Sequence, residues 1–417
     1  MMSLDAPSLE DHCTAAQSTP SGIVQALPGG ASASVRLVIA NDAYALSWTP
    51  DLDRYLSRIR RLADSAANEQ LDAVVLVPGP DLLYYAGRDQ GSYERLTALV
   101  IRPGRDPLLV VPALEAPGWA QTPLAGALEV TAWSDGEDPY ALIARALPRV
   151  AKVAVDDHVP ALHLLKLNAA LEPSQVRLAS VLTAPQRRIK EPEELAALAA
   201  VGRANDRVQQ AVSQWLRPGR TEAEVASDIA AALVHEGHAH ADFVIVASGA
   251  HGASPHHGCS DTVILDGDPV VIDIGGPAPS RYNSDSTRTY CLGTPRDPDF
   301  ADVHALVVAA QEAGFQAAVE GASCASVDAA ARRVIADAGL SEHFITRTGH
   351  GIGLEVHEEP YLVAGNDQPL LPGMVFSIEP GVYLPGRFGV RIEDIVAIDQ
   401  SGRPMRLNAS PKTWTLS

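Results

Sequence analysis

The chain has 417 residues, of which 46% are hydrophobic and 20% charged, which suits a globular protein of more than one domain. Its formal net charge of −19 argues against nucleic acid as a partner, because an acidic surface repels phosphates. Four cysteines without a C-x-x-C pair, no apolar stretch of about 20 residues and no basic and apolar leader predict a cytoplasmic protein with no membrane partner.

The first part of the chain predicts an extension followed by an α/β domain. Residues 1–48 are rich in Ser, Ala, Pro and Gly without a regular apolar period, which predicts a flexible extension. Thr49 and Pro50 suit the N-cap and first position of a helix. Short β-rich runs such as LDAVVLV and PLLVV then alternate with helical patterns. We therefore predict an N-terminal α/β domain over residues 49–183.

A second domain is predicted over residues 184–417. The segment TAPQRRIKEPEE contains two prolines and many charges, which is typical of a linker. A long helical pattern follows, and Thr221 with Glu224 forms a predicted capping box for a second helix. Strand-like runs come next, and a second pair of helical patterns, near 298–321 and 326–339, again precedes β-like runs. Helix, helix and strands in two copies indicate an internal duplication.

Four carboxylates and one imidazole in the second domain lie at the ends of apolar runs or in glycine-rich turns. Acidic groups in such runs are costly to bury unless they are paired or bound to metal. An oxygen-rich set without cysteine suits two divalent ions, with Mn preferred and Co, Zn or Fe as alternatives. Two such ions can acidify a shared water and stabilise a tetrahedral intermediate. The candidate ligands are Asp273, Asp285, His350, Glu379 and Glu393.

The strings around these residues resemble the pita-bread metallopeptidases, which include methionyl aminopeptidase, aminopeptidase P and prolidase. The matching strings occur in family order and include VVIDIGG, YNSDSTRTY, GHGIGLEVHEEP, SIEPGVY and GVRIEDIV. RRIKEPEEL is typical of the proline-specific branch. The resemblance covers roughly residues 50–405. It implies a smaller α/β domain followed by a pita-bread domain with a pseudo-two-fold duplication.

The same resemblance implies roles for individual residues. Asp273, Asp285, His350, Glu379 and Glu393 would hold the metals, and Glu379 would also shuttle a proton. His256 would contact the substrate near the scissile bond, and His357 would stabilise the oxyanion. Arg391, two residues before Glu393, would share a strand face with it and support the site or meet a substrate carboxylate. Phe243 suits a place in the substrate pocket and a place in the core equally.

Other histidines near these motifs are predicted to have no catalytic role. His235, His238 and His240 look like a metal cluster, but they follow a helix whose C-terminus favours imidazolium. His251 and His257 are interpreted as neighbours of the site. Asp273 and Asp285 are 12 residues apart, one more than is usual in the family, and we place the extra residue in the turn GGPAPSRY.

The resemblance implies a metal-dependent exopeptidase acting on small peptides, with Xaa-Pro dipeptides (prolidase activity) as the preferred substrates and a homodimer as the expected assembly. The compact N-terminal domain favours the dipeptidase. The alternative is an aminopeptidase P that takes longer peptides. A non-catalytic pita-bread binding protein and a metal-free creatinase-like hydrolase are disfavoured by the complete ligand set.

Overall fold

A computed structural model describes residues 51–92, 94–147 and 151–416. The predicted extension over residues 1–48 lies outside these residues. The first helix, α1, spans Leu52–Asn68, and its N-cap is Asp51, whose side chain accepts a hydrogen bond from the Asp53 amide. The prediction of Thr49 as the N-cap is therefore wrong, because a carboxylate two residues later satisfies the free amide of the first turn.

The N-terminal layer is a six-stranded mixed sheet in the order β4-β3-β2-β1-β5-β6. Apolar side chains on both faces form two separate cores under the surrounding helices, as expected for a sheet whose strands are buried on both sides. The α/β prediction is confirmed. The elements are β1 (Ala73–Leu76), α2 (Pro80–Ala86), β2 (Ala98–Ile101), β3 (Leu108–Pro112), α3 (Ala116–Trp119), β4 (Glu129–Trp133), α4 (Pro139–Ala146), β5 (Lys152–Val155), α5 (Ala161–Leu171) and β6 (Gln175–Leu178).

The segment predicted to be a linker is largely helical. Helix α6 spans Ser180–Arg188 and includes Pro185. Only three residues separate α6 from α7 (Pro192–Gln210), which begins with a capping box formed by Glu191 and Glu194. The charged residues that resembled a linker are used in ion pairs between the two parts of the chain, for example Arg58 Nη2 with Glu191 Oε2 at 2.8 Å.

The second part contains the predicted duplication. Helices α7 and α8 pack on one three-stranded antiparallel sheet, and α9 and α10 precede the strands of a five-stranded sheet in the order β11-β10-β12-β15-β16. The predicted capping box of Thr221 and Glu224 is confirmed at the start of α8. The remaining elements are α8 (Glu222–His235), β7 (Phe243–Ser248), β8 (Pro269–Pro277), β9 (Asn283–Cys291), α9 (Phe300–Ala317), α10 (Cys324–Asp337), β10 (Gly349–Gly351), β11 (Glu358–Leu362), β12 (Val375–Ile378), β13 (Gly381–Leu384), β14 (Phe388–Arg391), β15 (Asp394–Ile398) and β16 (Pro404–Arg406).

Polar side chains attach helix α7 to the first sheet at buried positions. Asn205 Nδ2 donates to the Ile274 carbonyl at 2.8 Å, and Gln209 Nε2 donates to the Ser286 carbonyl at 3.2 Å. Buried amide side chains that are fully hydrogen-bonded fix a helix more specifically than apolar packing alone. Within the described ranges, the structure has no helix with the length and apolar character needed to span a bilayer.

Candidate metal centre

The three-stranded sheet carries the two candidate aspartates on one face. Asp273 pairs with Thr287 and Gly275 pairs with Asp285 in the β8–β9 ladder, so the two carboxylates lie on the same side of the sheet. Phe243 pairs with Gly275 in the neighbouring ladder and joins that face. A Cβ at Gly275 would lie 2.4 Å from the Phe243 ring, so glycine is required for this ring to lie against the sheet. The segment GGPAPSRY, for which an extra residue is predicted, covers the end of β8 and the turn before β9.

The candidate histidine comes from the second half of the duplication. His350 lies on β10, and its amide donates to Ser377 Oγ at 3.0 Å. Its Nδ1 lies 3.1 Å from the Gly351 carbonyl. An N–H at Nδ1 that donates there leaves the Nε2 lone pair facing the cavity, as in many metal-binding histidines. Gly349 allows the backbone before His350 to lie close to β12, since a Cβ there would lie 2.0 Å from the Ser377 carbonyl oxygen.

The two candidate glutamates lie just beyond strand ends and are held by the backbone. The Glu379 amide donates to the Thr348 carbonyl at 2.8 Å, next to the segment that carries His350. The Glu393 amide donates to the Thr287 carbonyl at 3.0 Å, and Thr287 Oγ1 donates to Glu393 Oε2 at 2.7 Å. The bonds between Glu393 and Thr287 cross from one half of the duplication to the other, so both halves position this carboxylate.

A single cavity of about 820 Å³ brings together every residue that the sequence predicted for the site. Within it, His350 Nε2 lies 3.2 Å from Glu379 Oε1 and 3.6 Å from Asp285 Oδ2. One potential ligand atom from each of Asp285, His350 and Glu393 lies within 4.8 Å of the others. The predicted residues on its wall are Phe243, His256, Asp273, Asp285, His350, His357, Glu379, Arg391 and Glu393.

The electrostatics of the cavity require positive charge. Burial raises the pKa of Asp285 and Glu393 well above the usual range, and neighbouring carboxylates raise both further. Burial and Glu379 also raise the pKa of Asp273, although Arg391 opposes them. Burial raises the pKa of Glu379 too, but His350, Arg391 and Arg347 lower it by more. The repulsion among these carboxylates would be relieved by cations between them.

Two buried carboxylate oxygens show whether the residues of this site fit divalent ions. Asp273 Oδ1 and Glu393 Oε1 have no hydrogen-bond partner among the described residues. Buried oxygens without partners are unusual, and here they are available to bind a ligand. Oxygen donors with one imidazole match the preference of Mn, Co, Fe and Zn ions. The donor set therefore fits divalent metal ions.

Arg391 supports the site from behind Asp273. Its Nη2 donates to Asp273 Oδ2 at 2.5 Å, its Nε donates to Thr287 Oγ1 at 3.0 Å, and its Nη1 contacts Tyr383 Oη and the Pro255 carbonyl. The guanidinium is buried and committed to these partners. The prediction that Arg391 and Glu393 share a strand face is wrong, because β14 ends at Arg391 and Glu393 lies in the connection to β15.

Arg347 was not predicted and is the other guanidinium that lines the cavity. Its Cζ lies 4.8 Å from the centre of the Tyr361 ring, and it has no carboxylate partner within the part of the chain that the structure describes. Arg347 lowers the pKa of both Glu379 and His357, so its charge acts on the centre of the cavity. Its position three residues before His350, in TRTGHG, was the available sequence signal.

The two candidate catalytic histidines lie on the cavity wall. His256 follows Pro255 in the loop after β7. The His357 ring contacts the His350 ring edge-on, with centroids 4.1 Å apart. Burial lowers the pKa of His357 to about 4, and the nearby His350 and Arg347 lower it too. The run Leu354-Glu355-Val356 before His357 has a composition that predicts a strand, but it is irregular in the structure, because β11 begins only at Glu358.

The loop that carries His256 is anchored by Glu222, the first residue of α8. Glu222 Oε1 accepts hydrogen bonds from the Ser248 amide at 2.8 Å and His251 Nδ1 at 2.9 Å. Its Oε2 accepts from His257 Nε2 at 2.8 Å and Ser260 Oγ at 2.7 Å. His251 and His257 therefore sit beside the cavity and are absent from its wall, as neighbours of the site would be.

The prediction for the three histidines at the C-terminal end of α8 needs one correction. His235 and His240 are exposed, but His238 is buried, with Nε2 2.7 Å from Ser284 Oγ and Nδ1 3.1 Å from the Leu233 carbonyl. Burial lowers the pKa of His238 to about 4, so the neutral imidazole is favoured there. Desolvation outweighs the field of the helix C-terminus that was expected to favour imidazolium.

Comparison with known proteins places this geometry in context. The sequence model of metallopeptidase family M24 matches residues 196–400, and that of the Creatinase/Prolidase N-terminal domain matches residues 58–189. The chain is 50% identical over 354 residues to "Probable dipeptidase PepE" of Mycobacterium tuberculosis, covering 84% of this chain and 94% of that protein. It is 34% identical over 330 residues to a Xaa-Pro dipeptidase of Lactobacillus helveticus, covering 76% and 88%.

The described architecture is also found in a solved structure. The crystal structure of dipeptidase PepE from Mycobacterium ulcerans superposes with a TM-score of 0.84 at 48% sequence identity, covering 88% of this chain and 99% of that one. Both the N-terminal layer and the duplicated second part therefore have counterparts in a protein described as a dipeptidase.

Proposed function

The chain belongs to metallopeptidase family M24, and on that premise we propose that it is a Xaa-Pro dipeptidase that uses two divalent metal ions. The residue that supports a dipeptide as the substrate is Arg347. Arg391 is already committed to Asp273, so Arg347 is the guanidinium in the cavity with no carboxylate partner among the described residues. The C-terminal carboxylate of a dipeptide would supply that partner, because guanidinium and carboxylate form paired hydrogen bonds.

The apolar wall of the cavity suits the proline ring. Phe243, Ile345 and Val356 line the same space as Arg347. A pyrrolidine ring against these side chains would leave its carboxylate free to reach a cation. The prolyl nitrogen of the scissile bond carries no hydrogen, so the site needs no acceptor for it. The Xaa-Pro dipeptidase name of the Lactobacillus helveticus relative supports this substrate class.

In the proposed reaction, the residues that would hold the two ions are Asp273, Asp285, His350, Glu379 and Glu393. When bound, the ions supply Lewis-acid chemistry that acidifies water and polarises the scissile carbonyl. Glu379 Oε1 faces His350 and accepts from Ser377 Oγ, which leaves Oε2 to take a proton from the attacking water. Oε2 passes this proton to the prolyl nitrogen as the water oxygen bonds to the carbonyl carbon and the C–N bond breaks. His357, neutral at pH 7, donates to the developing oxyanion, and His256 orients the peptide near that bond.

The experiment compares Ala-Pro, Ala-Pro amide and Ala-Pro-Ala as substrates of the metal-loaded protein and of Arg347→Gln. A hydrogen bond to a charged group contributes about 1.5–3 kcal/mol. We therefore expect kcat/KM for Ala-Pro to be about 10-fold to 10²-fold higher than kcat/KM for Ala-Pro amide. Arg347→Gln should lose this preference mainly through KM, whereas exposed Arg333→Gln should keep it.

The outcomes separate the candidate functions. Equal or faster cleavage of Ala-Pro-Ala would identify an aminopeptidase that takes longer peptides. A protein that holds both ions and cleaves none of the three would be a binding protein. Manganese as the native metal, a homodimer and a cytoplasmic location are proposed as well. Metal analysis of protein purified from its source, sedimentation and cell fractionation test them.

A further inference from the structure

The position of His357 depends on its backbone. The imidazole makes no side-chain hydrogen bond among the described residues and contacts the edge of the His350 ring. It lies in the irregular segment between β10 and β11, and not in a strand ladder. The place of the imidazole therefore rests on its contact with the His350 ring and on the backbone of residues 355–358. A contact that holds this backbone helps to place the imidazole.

One guanidinium holds the chain on both sides of His357. Arg187, near the end of α6, donates through Nη2 to Glu355 Oε2 at 2.6 Å and to Glu358 Oε2 at 2.5 Å. Its Nη1 donates to Asp81 Oδ1 at 2.8 Å, at the start of α2 in the N-terminal layer. A planar guanidinium with donors in fixed directions joins three carboxylates more rigidly than an ammonium would.

The surroundings of Arg187 make this attachment strong. The side chains of Arg187, Glu358 and Asp81 are only 9%, 7% and 5% exposed. Lys190 Nζ contacts the other oxygen of Glu358. Burial raises the pKa of Glu358, but Lys190 and Arg187 lower it by more, so the carboxylate is ionised. Buried ion pairs of this kind are screened little by solvent, and removal of one partner leaves uncompensated charges.

We propose that Arg187 is a positioning residue for His357, through which the N-terminal layer takes part in catalysis. The proposal rests on the proposed function only because its kinetic test measures the hydrolysis of Xaa-Pro dipeptides. It also gives a physical role to RRIKEPEEL, in which Arg187 and Lys190 both bind Glu358. An ion pair with a purely structural role would affect stability and leave the direction of the imidazole unchanged.

The kinetic test is a double-mutant cycle with Arg187→Lys and His357→Ala. Loss of an oxyanion donor costs about 10²–10³ in rate, and misplacement of a reacting group by about 1 Å costs up to about 10². We expect Arg187→Lys to lower kcat at least about 10-fold with KM and metal content little changed. In the His357→Ala background the same substitution should have almost no further effect on kcat. Independent, multiplying losses in the two backgrounds would overturn the proposal.

A matched control and a milder variant keep the test decisive. Arg188→Gln changes the adjacent residue of the same helix, which pairs with Glu359 instead, and should leave kcat within about two-fold. A similar loss in Arg188→Gln would contradict the specific role of Arg187. Glu355→Gln neutralises one of the two carboxylates that Arg187 binds beside His357, a carboxylate that also lies 3.1 Å from His158 Nε2. It serves as the variant if Arg187→Lys does not fold, and the same dependence of its kcat loss on His357 is expected.

A second readout does not depend on catalysis. The imidazole signals of ¹⁵N-histidine-labelled protein, assigned with His357→Ala, report the environment of His357 directly. We expect this signal to shift or broaden in Arg187→Lys and to stay in place in Arg188→Gln. An unchanged signal would refute the proposal. If the wild-type protein does not hydrolyse Xaa-Pro dipeptides, the proposed function fails, and this spectrum still decides the role of Arg187.

Discussion

His350 and His357 are seven residues apart and in ring contact, but their surroundings differ. His350 is buried, its Nδ1 lies beside the Gly351 carbonyl, and its Nε2 faces Asp285 and Glu379. His357 faces the same cavity from its wall and lies next to none of those carboxylates within ion-pairing distance. An imidazole surrounded by carboxylates suits a metal ligand, whereas an imidazole on the wall suits a donor to the substrate.

This difference predicts separate effects of two substitutions. His350→Ala should lower the metal content of the purified protein, because it removes the nitrogen ligand. His357→Ala should keep both ions, leave KM nearly unchanged and lower kcat about 10²–10³-fold, as expected for a donor to the oxyanion. Metal analysis with steady-state kinetics on both proteins checks this. Loss of an ion from His357→Ala with both ions kept in His350→Ala would reverse the two roles.

At the scale of elements, the sequence patterns predicted those strands and helix starts that depend on neighbouring residues. The alternating apolar runs correspond to strands β1 to β5, and the capping box at Thr221 and Glu224 starts a helix where predicted. The acidic residues inside apolar runs pointed to Asp273 and Glu379, because burial of a lone carboxylate needs an explanation. Such features could be read from neighbouring residues alone.

The errors concern contacts between distant residues. Pro185 and the charges around it resembled a linker, yet Arg187 pairs with Asp81, 106 residues earlier, and the segment folds as α6. The run before His357 looked extended, but its geometry depends on the same guanidinium. Arg347 was missed because only the folded cavity shows that Arg391 is committed elsewhere. Long-range pairing of charges has no local periodicity, so a single sequence does not reveal it.

The turn after α8 makes a testable contribution to pH-dependent stability. Burial holds the pKa of His238 at about 4, the nearby Arg207 and His240 lower it as well, and Glu236 and the Leu233 carbonyl oppose them. This folded-state pKa is below the unfolded value near 6.5. The contribution of neutral His238 to the free energy of unfolding is therefore fully present above about pH 6.5 and is lost as the pH falls toward 4. The full loss corresponds to about 3 kcal/mol.

The measurement is the melting temperature between pH 7.5 and 4.5. His238→Gln removes the titrating group, so its melting temperature should fall less steeply below pH 6.5 than that of the wild type. His235→Gln, an exposed histidine in the same region, should follow the wild-type slope. Parallel slopes for the wild type and His238→Gln would show that His238 does not resist protonation in the folded protein.

At the scale of the whole molecule, the site is the place where the parts of the chain meet. Asp273 and Asp285 come from the first half of the duplication, and His350, Glu379 and Glu393 come from the second. Arg187 adds a connection from the N-terminal layer to the same cavity wall. Ions bound between the halves would therefore stabilise the fold as well as the reaction, because a ligand that binds only the folded state shifts the unfolding equilibrium.

Removal of the metal ions should consequently lower both activity and thermal stability. A ligand at 100 times its Kd adds about 2.7 kcal/mol, and in a protein of this size 1 kcal/mol corresponds to roughly 1 °C, because the entropy of unfolding grows with chain length. We expect chelation to abolish Xaa-Pro hydrolysis and to lower the melting temperature by at least about 3 °C. Addition of Mn or Co should restore both.

The double substitution Asp285→Asn with Glu393→Gln is the matched control, because it removes two of the repelling charges together with the ligands. This variant should be inactive, and its melting temperature should not respond to chelator or metal. It should also exceed that of the metal-free wild type, since the empty wild-type site retains the repulsion among its carboxylates. Full activity and an unchanged melting temperature in wild-type protein after verified metal removal would contradict a metal requirement for both catalysis and stability.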